Sequence, residues 1–426
     1  MLWSNWSGVV HAQPAAQIAV RDEEHLAALI RDPAIAGPIR PLGAGHSFTE
    51  LCATDGGTLL RLDGLNGVAR DPEQPNVARI GAGGVLGEVT AALHAQNHAL
   101  ANMGDIDNQR MGGAVATATH GTGPTFGCYP SMLQGLRMLD GRGQPVELDR
   151  DRDPDAFRAM AVSLGTGGIV TELRMRCVAP YRLERTRFVV ARDEIFEDFA
   201  GLMTSARNVE LMYVPFSGHA LGLRSVETEA APTVRPPDED QQALRLLRLL
   251  AQWCGPLPAL RRFVLSRALG RSAREHFVED WHRAFPTDRD GHRFNETEYH
   301  LPAEAAPQAL QTLITRLEKE LPGVYFPIEV RSVAADDLYL SPFSGRESVS
   351  IAVHHASDKP MGPVLALAES VFRAHAGRPH WGKMHTLRAA ELRTLYPHWD
   401  AAIEARHQYD PDNRFVSPYL RALLGL

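Results

Sequence analysis

Residues 41–48 read PLGAGHSF, and residues 111–123 read MGGAVATATHGTG. Glycine lets backbone N–H groups approach a ligand closely, and consecutive N–H groups in a loop form a concave site for anions. In the second stretch threonines alternate with glycines, which suits a flat ligand with many polar atoms. Each stretch alone is equally compatible with a tightly packed turn. Neither matches the G-x-G-x-x-G fingerprint of a Rossmann domain, and neither contains the G-K-[ST] of a P-loop.

The sequence around these loops predicts an α+β domain. Short apolar runs broken by glycine fill residues 17–178 and are typical of strands joined by tight loops. Leu and Ala recur at helical spacing at 22–31 and 86–96, which predicts two helices. A second α/β region at 299–380 has predicted strands in YFPIEVRSV and ESVSIAVHH, and predicted helices in QTLITRLEKEL and PVLALAESVFRAHAG.

Residues 243–274 carry Leu and Arg at helical spacing, in LRLLRLLAQW and LRRFVLSRALG. We interpret this stretch as an amphipathic helix whose Leu face packs into the domain while its arginines remain in solvent. The alternative is that a basic amphipathic helix docks on a membrane surface or on a partner. The Pro-rich and acidic stretch before it, at 230–242, is predicted to be an exposed loop.

Composition excludes several classes of protein. The 426 residues suffice for two or three domains, and the apolar and charged fractions of 44% and 22% are those of a globular protein. A net charge of −7 does not attract polyanions, so nucleic acid is not an expected partner. The four cysteines form no C-x-x-C pair, which argues against a disulfide framework. Because the chain shows neither a secretory signal nor a long apolar run, we expect a cytoplasmic location.

Candidate catalytic side chains lie in the second half of the chain. Glu329 and Arg331 in FPIEVRSV are two apart on a predicted strand and therefore emerge on one face. A carboxylate accepts a hydrogen bond from a substrate hydroxyl, and a guanidinium supplies a fixed positive charge; a surface ion pair is the alternative. His354 and His355 point to opposite faces of their strand, so at most one enters a site. Lys383 in HWGKMH stands among bulky residues, which indicates a packed environment.

Three histidines near the C-terminal end of the second α/β region are candidate metal ligands. His375, His380 and His385 recur at five-residue intervals, a spacing that does not align three ligands on one helix face. Pro379 and Gly382 between them interrupt any helix. We therefore predict no metal site.

Seven motifs follow the order found in the sugar-1,4-lactone oxidase and alditol oxidase family of vanillyl-alcohol-oxidase-type flavoproteins, and the resemblance covers nearly the whole chain. They are PLGAGHSFTELCATDGGTLLRLDGLNGV, GDIDNQRMGGAVATATHGTG, LGTGGIVTELRMRCV, FNETEYHLP, FPIEVRSVAADDLYLSP, RPHWGKMH and YDPDNRF. The resemblance implies an α+β fold in which an FAD-binding domain of two α/β subdomains occupies 1–178. A substrate domain with an antiparallel sheet flanked by helices follows at 179–384, and a C-terminal segment at 385–426 returns to the FAD domain.

The resemblance also implies the residues that contact FAD. They are Leu42, Gly43, Ala44, Gly45, His46, Ser47, Phe48, Gly113, Ala114, Thr117, Thr119, His120, Gly121, Thr122, Gly123, Ile169 and Val170. His46 matches the histidine that many members bond covalently to the flavin 8α-methyl group. A neutral, oriented imidazole is a competent nucleophile, so this bond is chemically available. The alternative is a loop histidine that only forms hydrogen bonds.

For the reaction, the resemblance places Glu329, Arg331, His354 and Lys383 around the substrate. The hydroxyl loses its proton while hydride passes from the same carbon to flavin N5. Arg331 and Lys383 stabilise negative charge, and Glu329 and His354 orient the hydroxyl or share its proton, with the base left unassigned. O2 is the expected acceptor and gives hydrogen peroxide, although some relatives use a dye, a quinone or a cytochrome instead.

Two positions depart from the alditol oxidases. Ala114 and Ala356 stand where those enzymes have a serine and a threonine that contact substrate. Without these two hydroxyls a linear polyol would be left with unpaired buried hydroxyls, so we expect a sugar lactone as substrate, with an alditol as the alternative. A non-catalytic flavin-binding or membrane-docking protein is a further alternative, against which the presence of Glu329, Arg331 and Lys383 argues.

Overall fold

A computed structural model describes residues 2–237, 240–254, 257–269, 275–286 and 293–426. Its strands are β1 Trp3–Ser4, β2 His11–Ala12, β3 Ala16–Ala19, β4 Ile39–Leu42, β5 Thr58–Arg61, β6 Val68–Arg70, β7 Val77–Gly81, β8 Leu133–Leu139, β9 Pro145–Asp149, β10 Ile169–Arg176, β11 Arg182–Ala191, β12 Asn208–Val214, β13 His219–Thr228, β14 His276–Asp280, β15 Phe294–Pro302, β16 Ile328–Val333, β17 Ser348–Ala356 and β18 Arg378–Pro379. Its α-helices are α1 Glu23–Arg31, α2 Leu86–Ala95, α3 Met111–Ala116, α4 Pro154–Met160, α5 Arg192–Glu197, α6 Phe199–Thr204, α7 Asp240–Cys254, α8 Pro258–Leu269, α9 Trp281–Ala284, α10 Ala306–Glu320, α11 Gly362–Ala374, α12 Ala389–Leu395, α13 Trp399–Tyr409 and α14 Pro418–Leu424.

Two sheets form the N-terminal part of the fold. A parallel sheet has the strand order β3-β5-β4, and an antiparallel sheet has the order β6-β7-β10-β8-β9. The helix predicted at 22–31 is confirmed as α1; Asp22 caps it by accepting a hydrogen bond from the His25 N–H at 2.7 Å. The helix predicted at 86–96 is confirmed as α2, and the predicted α+β class is confirmed as well.

An eight-stranded antiparallel sheet carries most of the remaining chain, in the order β14-β11-β13-β12-β16-β17-β15-β18. Helices α10 and α11 contact one face of this sheet, where Tyr299 of β15 stacks on Phe372 of α11. Because side chains alternate along a strand, Glu296 and Glu298 point to the opposite face. That face is turned toward the N-terminal sheets.

Two backbone hydrogen bonds join the two parts of the fold, and the Arg40 side chain joins the N-terminal part to the C-terminal segment. The Gly123 N–H donates to the Ser332 carbonyl at 2.8 Å, and the Phe48 N–H donates to the Gly382 carbonyl at 2.7 Å. At the C-terminus, Arg40 donates to the Phe415 carbonyl at 2.6 Å. These contacts bring the loops at 41–48 and 111–123 against the eight-stranded sheet. The division at residues 178 and 384 remains a prediction.

The helix predicted at 243–274 is in fact two helices, α7 and α8, and residues 270–274 lie outside the described part of the chain. α8 begins at Pro258, which is consistent with the interruption because proline has no N–H to donate within a helix. Leu244 and Leu247 of α7 pack inward, which agrees with the apolar inner face expected of this stretch. Among the described residues, no helix combines the length and the hydropathy that crossing a bilayer requires.

Candidate functional site

A long cleft separates the N-terminal sheets from the polar face of the eight-stranded sheet. It encloses about 2340 Å³ of space that atoms leave empty, part of which is open to solvent. Of the residues predicted to contact FAD, fourteen line it, namely Leu42, Gly43, Ala44, Gly45, His46, Ser47, Phe48, Gly113, Ala114, Thr117, Thr119, His120, Ile169 and Val170. The two glycine-rich loops therefore lie on the walls of one cleft.

Gly121, Thr122 and Gly123 are not among the lining residues. The Thr122 hydroxyl donates to the Val209 carbonyl at 2.5 Å, and Gly123 pairs with Val333 in an isolated bridge. A Cβ at position 121 would stand 2.0 Å from the Met103 carbonyl oxygen, so only glycine fits there. This end of the motif joins the two parts of the fold rather than lining the cleft.

The loop at 41–48 presents backbone to the cleft. Gly45 has φ +70°, a conformation that favours glycine, and its carbonyl accepts a hydrogen bond from the Trp6 N–H at 2.8 Å. The Asn5 amide donates to the Ser47 carbonyl at 2.9 Å. The His46 ring lies 5.5 Å from the Trp6 ring and is half-buried on the cleft wall. The loop is thus held from behind, and His46 faces the space where a ligand would lie.

The second glycine-rich wall is the short helix α3. A Cβ at Gly112 would stand 3.0 Å from the Ala82 Cβ, so Gly112 allows the helix to pack closely. A Cβ at Gly113 would meet no protein atom within 4 Å, because this residue faces the open cleft. Bare backbone on one wall and a concave loop on the other fit a long ligand that carries a flat ring and a pyrophosphate, as FAD does.

At one end of the cleft, the lining residues come from the polar face of the eight-stranded sheet. Glu296 and Glu298 of β15 and Glu329 and Arg331 of β16 all line the cleft. All four are buried. They share one face of the sheet because the two members of each strand's pair are two positions apart, with one residue between them. The structure thus places Glu329 and Arg331 side by side in a cleft and not on an exposed surface.

Arg331 is the centre of a buried charge cluster. Its Nη2 contacts carboxylate oxygens of Asp105 and Glu329 and lies 3.4 Å from Glu210 Oε1. Burial alone would lower the pKa of Arg331, but the neighbouring carboxyl groups outweigh it and raise that pKa well above its usual value. The guanidinium is therefore a permanent positive charge at the end of the cleft.

Three carboxyl groups around one arginine cannot all be ionised without cost. Burial raises the pKa of Glu210 to about 8; the charge of Arg331 opposes this rise, and the carboxyl groups of Asp105 and Glu329 add to it. Arg185 adds a second buried positive charge near Glu210. At neutral pH, Glu210 therefore keeps its proton, and the cluster carries one negative charge less than it would with Glu210 ionised.

Glu210→Gln is expected to change how stability depends on pH. In wild type the folded state holds a proton that the unfolded chain releases, so stability falls as pH rises from the usual glutamate range to about 8. Gln cannot ionise, so the stability of the variant should fall less than that of wild type as pH rises. Chemical unfolding between about pH 6 and pH 9 measures the effect. Glu229→Gln, on an exposed carboxyl, is the control; equal declines in both variants would contradict the assignment.

Lys383 forms a second charge pair with a residue of the sheet. Its Nζ lies 2.5 Å from Glu296 Oε2 and 5.1 Å from the centre of the Phe48 ring. The loop that carries Lys383 lies alongside β15, since the Met384 N–H donates to the Glu296 carbonyl at 2.9 Å. Burial raises the pKa of Glu296, but Lys383 and His354 outweigh it and hold that pKa below its usual value. Glu296 is therefore an ionised acceptor in the cleft.

His354 is not among the residues that line the cleft. It stands opposite Glu296 in the register of β15 and β17, with Nε2 3.6 Å from Glu296 Oε2. The Phe294 ring lies edge-on at 4.9 Å from the His354 ring. One side-chain nitrogen of His354 and one carboxylate oxygen each of Glu296 and Glu329 lie within 4.8 Å of one another. The role of His354 in the reaction stays a prediction.

His120 and Glu298 form a third pair at 2.9 Å between Nε2 and Oε1. The other ring nitrogen of His120 lies 2.8 Å from the Gly121 carbonyl oxygen, so both ring nitrogens are within hydrogen-bond distance of an oxygen. Burial raises the pKa of Glu298, but His120 outweighs it and holds that pKa well below the usual value. Burial lowers the pKa of the neighbouring His380 to about 4, so His380 is neutral.

Sequence reasoning missed five residues near this end of the cleft: Asp105, Glu210, Glu296, Glu298 and His380. The alternation E-x-E in FNETEYHLP could have indicated two carboxylates on one sheet face. Asp105 and Glu210 have no such local signal, because only the fold brings them to Arg331. His120, Glu298 and His300 also lie close enough together to hold a metal ion. The prediction of no metal site stays a prediction.

Comparisons with known proteins identify the family. The sequence model of the D-arabinono-1,4-lactone oxidase family matches residues 173–423, and that of an FAD-binding domain family matches residues 14–149. The chain belongs to the D-arabinono-1,4-lactone oxidase family. It is therefore an FAD-dependent oxidoreductase, and the resemblance inferred from the seven motifs is confirmed.

Individual relatives bear different names. The chain is 32% identical over 431 residues to an L-gulono-1,4-lactone dehydrogenase of Mycobacterium tuberculosis, with 100% of this chain and 99% of that protein covered. It is 28% identical to an alditol oxidase of a Streptomyces species over 89% of each protein. Among solved structures, a solvent-stable cholesterol oxidase matches with a TM-score of 0.82 at 18% identity, over 100% of this chain and 97% of that one; this likeness shows the fold alone.

Proposed function

We propose that the protein oxidises a hydroxyl of a sugar 1,4-lactone to a carbonyl group. The observation that carries this proposal is the set of paired charges at the end of the FAD cleft. Glu296 and Glu329 each contact a cation there, Glu298 is hydrogen-bonded to His120, and all three can still accept hydrogen bonds from sugar hydroxyls. A polyhydroxylated ligand needs several acceptors held in fixed positions, and the polar face of the sheet supplies them.

Each side chain has a role in the proposed reaction. Glu296 and Glu329 orient the reacting hydroxyl, and one of them or a neighbour receives its proton. Arg331 and Lys383 stabilise the negative charge that develops as this proton leaves. His354, on the neighbouring strand, positions Glu296. When bound, FAD supplies the acceptor for the two electrons of the C–H bond.

The charges favour a neutral lactone over the aldonate that forms when the ring opens. Arg331, Lys383 and His120 each already contact a carboxyl group of the protein. An added substrate carboxylate would meet further carboxylates, because the charges of Arg331 and Lys383 are already paired with carboxyl groups of the protein. Ala356 packs with Phe294 and Phe326 in an apolar cluster and offers no hydroxyl, which favours a lactone over a linear alditol.

Anaerobic reduction of the bound flavin tests this substrate class. We expect aldono-1,4-lactones to bleach the visible absorbance of the holoprotein, and the matching aldonates neither to bleach it nor to compete. Alditols should bleach it more slowly by about a factor of ten to one hundred, because their hydroxyls are incompletely paired. Faster reduction by alditols than by lactones would favour an alditol as the substrate. Reduction by no member of the panel would contradict both the lactone and the alditol assignment.

We propose dioxygen as the electron acceptor, which leaves as hydrogen peroxide. Gly113 and Ala114 leave room beside the cleft for so small a molecule. Rapid mixing of the reduced protein with air, combined with a peroxide assay, separates an oxidase from a dehydrogenase. A reduced flavin that persists in air but reacts with a quinone or a cytochrome would overturn this part of the proposal.

We propose further that His46 bonds covalently to the flavin. Its ring lies on the cleft wall against Trp6, in the loop matched to the FAD-binding motif. After acid precipitation we expect the yellow colour to remain in the wild-type pellet and to pass to the supernatant for His46→Ala. His11→Ala, at an exposed histidine, should behave like wild type. A yellow pellet from His46→Ala would exclude His46 as the attachment point.

A further inference from the structure

Exposed apolar side chains concentrate on one pair of helices. Among the described residues, eleven large apolar side chains are exposed, and six of these lie on or between α7 and α8. The six are Leu246, Leu249, Trp253, Leu257, Leu260 and Phe263. Trp253 is 79% exposed and Phe263 is 58% exposed, which is unusual for the largest apolar side chains of a protein.

These side chains form a stripe on each helix. Residues 246, 249 and 253 of α7 follow helical spacing, as do residues 257, 260 and 263 at and within α8. The two helices that carry the stripes contact each other. Other side chains of the two helices face the protein. Leu247 and Ala251 of α7 pack in the apolar cluster that contains Phe294, and Arg261 of α8 donates to the Val324 carbonyl at 2.8 Å.

Positive charge predominates on the same two helices. Residues 240–269 contain five arginines and one acidic residue, Asp240, in a chain of net charge −7. Arg248 and Arg262 pair with Asp358 and Glu318 at 2.6 and 2.9 Å. Arg245 and Arg267 are exposed, and the Arg267 guanidinium lies 5.4 Å from the centre of the Phe263 ring. A locally basic and apolar surface on an acidic protein is complementary to an apolar phase bordered by negative charge.

We propose that the exposed stripes of α7 and α8 dock on the surface of an anionic lipid bilayer. The apolar side chains enter the boundary between headgroups and acyl chains, where tryptophan is favoured, and the arginines remain at the phosphate level. The inner face of α7 packs on Phe48 and Phe294, which line the cleft, so docking holds the substrate end of the cleft beside the bilayer. This proposal is independent of the substrate that the site takes.

Vesicle flotation of the purified holoprotein tests the proposal. We expect binding to vesicles that contain about 30% phosphatidylglycerol and little binding to pure phosphatidylcholine, with a marked loss of binding at about 0.5 M salt. Trp253→Ser combined with Phe263→Ser should lower the bound fraction roughly fivefold or more, as should Arg245→Glu combined with Arg267→Glu. Thermal unfolding and the flavin spectrum report that the variants are folded.

Val226→Ser combined with Val234→Ser is the matched control, because both valines are exposed but lie outside the two helices. This variant should float like wild type. Wild-type protein that does not float, or Trp253 and Phe263 variants that float equally well, would overturn the proposal. A concentration-dependent dimer that the Trp253 and Phe263 changes dissolve, without any vesicle binding, would assign the surface to a second copy of the chain and would likewise overturn it.

Discussion

Lys383→Met is expected to slow flavin reduction by a saturating lactone by about 10²–10³-fold while FAD stays bound. Lys383 places a positive charge on the cleft wall, 2.5 Å from Glu296 and beside Phe48 of the FAD loop. Met keeps the length and packing of the side chain but removes this charge. The reaction then loses a group that stabilises developing negative charge, and Glu296 loses the partner that keeps it ionised.

The pH dependence of the same variant adds a second signature. Without Lys383 the pKa of Glu296 should rise, so a larger fraction of Glu296 is protonated and can no longer accept a hydrogen bond. The residual rate should therefore increase as pH rises, more steeply than in wild type. Lys359→Met, at an exposed lysine in the turn after β17, is the control and should leave the rate unchanged. A Lys383 variant that reduces its flavin at the wild-type rate would exclude Lys383 from the reaction.

Local pattern was sufficient to predict much of the fold and part of the site. The short apolar runs in the N-terminal half are strands, and 22–31 and 86–96 are helices with the expected termini to within one residue. The two-residue spacing of Glu329 and Arg331 correctly indicated a shared face, because this alternation is a property of the strand itself. The prediction of a single helix at 243–274 was wrong, because α8 begins at Pro258, which has no N–H to donate within a continuous helix.

The rest of the site depends on long-range contacts that no local pattern contains. Asp105 reaches Arg331 across 226 positions of the chain, and His120 reaches Glu298 across 178. The resemblance places His354 in the pocket; the register of β15 and β17 places it beside Glu296, and its role stays a prediction. Which of several carboxylates faces the cleft is set by strand order and register, and these appear only in the folded sheet.

Gly113→Leu is expected to abolish FAD binding without unfolding the protein. Gly113 lines the cleft, and a Cβ there meets no protein atom within 4 Å, so a leucine side chain would occupy the space assigned to the flavin. Leucine is also a better helix former than glycine by about 1 kcal/mol, so α3 itself should not be weakened. Gly323→Leu, at an exposed glycine where a Cβ likewise meets no atom, is the matched control.

The ratio of flavin to protein in purified Gly113→Leu and Gly323→Leu tests most directly the claim that the glycine-lined cleft ending at Glu329, Arg331 and Lys383 holds the FAD. We predict a colourless, folded Gly113→Leu protein and a yellow Gly323→Leu protein with wild-type flavin content. A folded Gly113→Leu protein that keeps its full flavin content and is reduced by a lactone at the wild-type rate would contradict the claim.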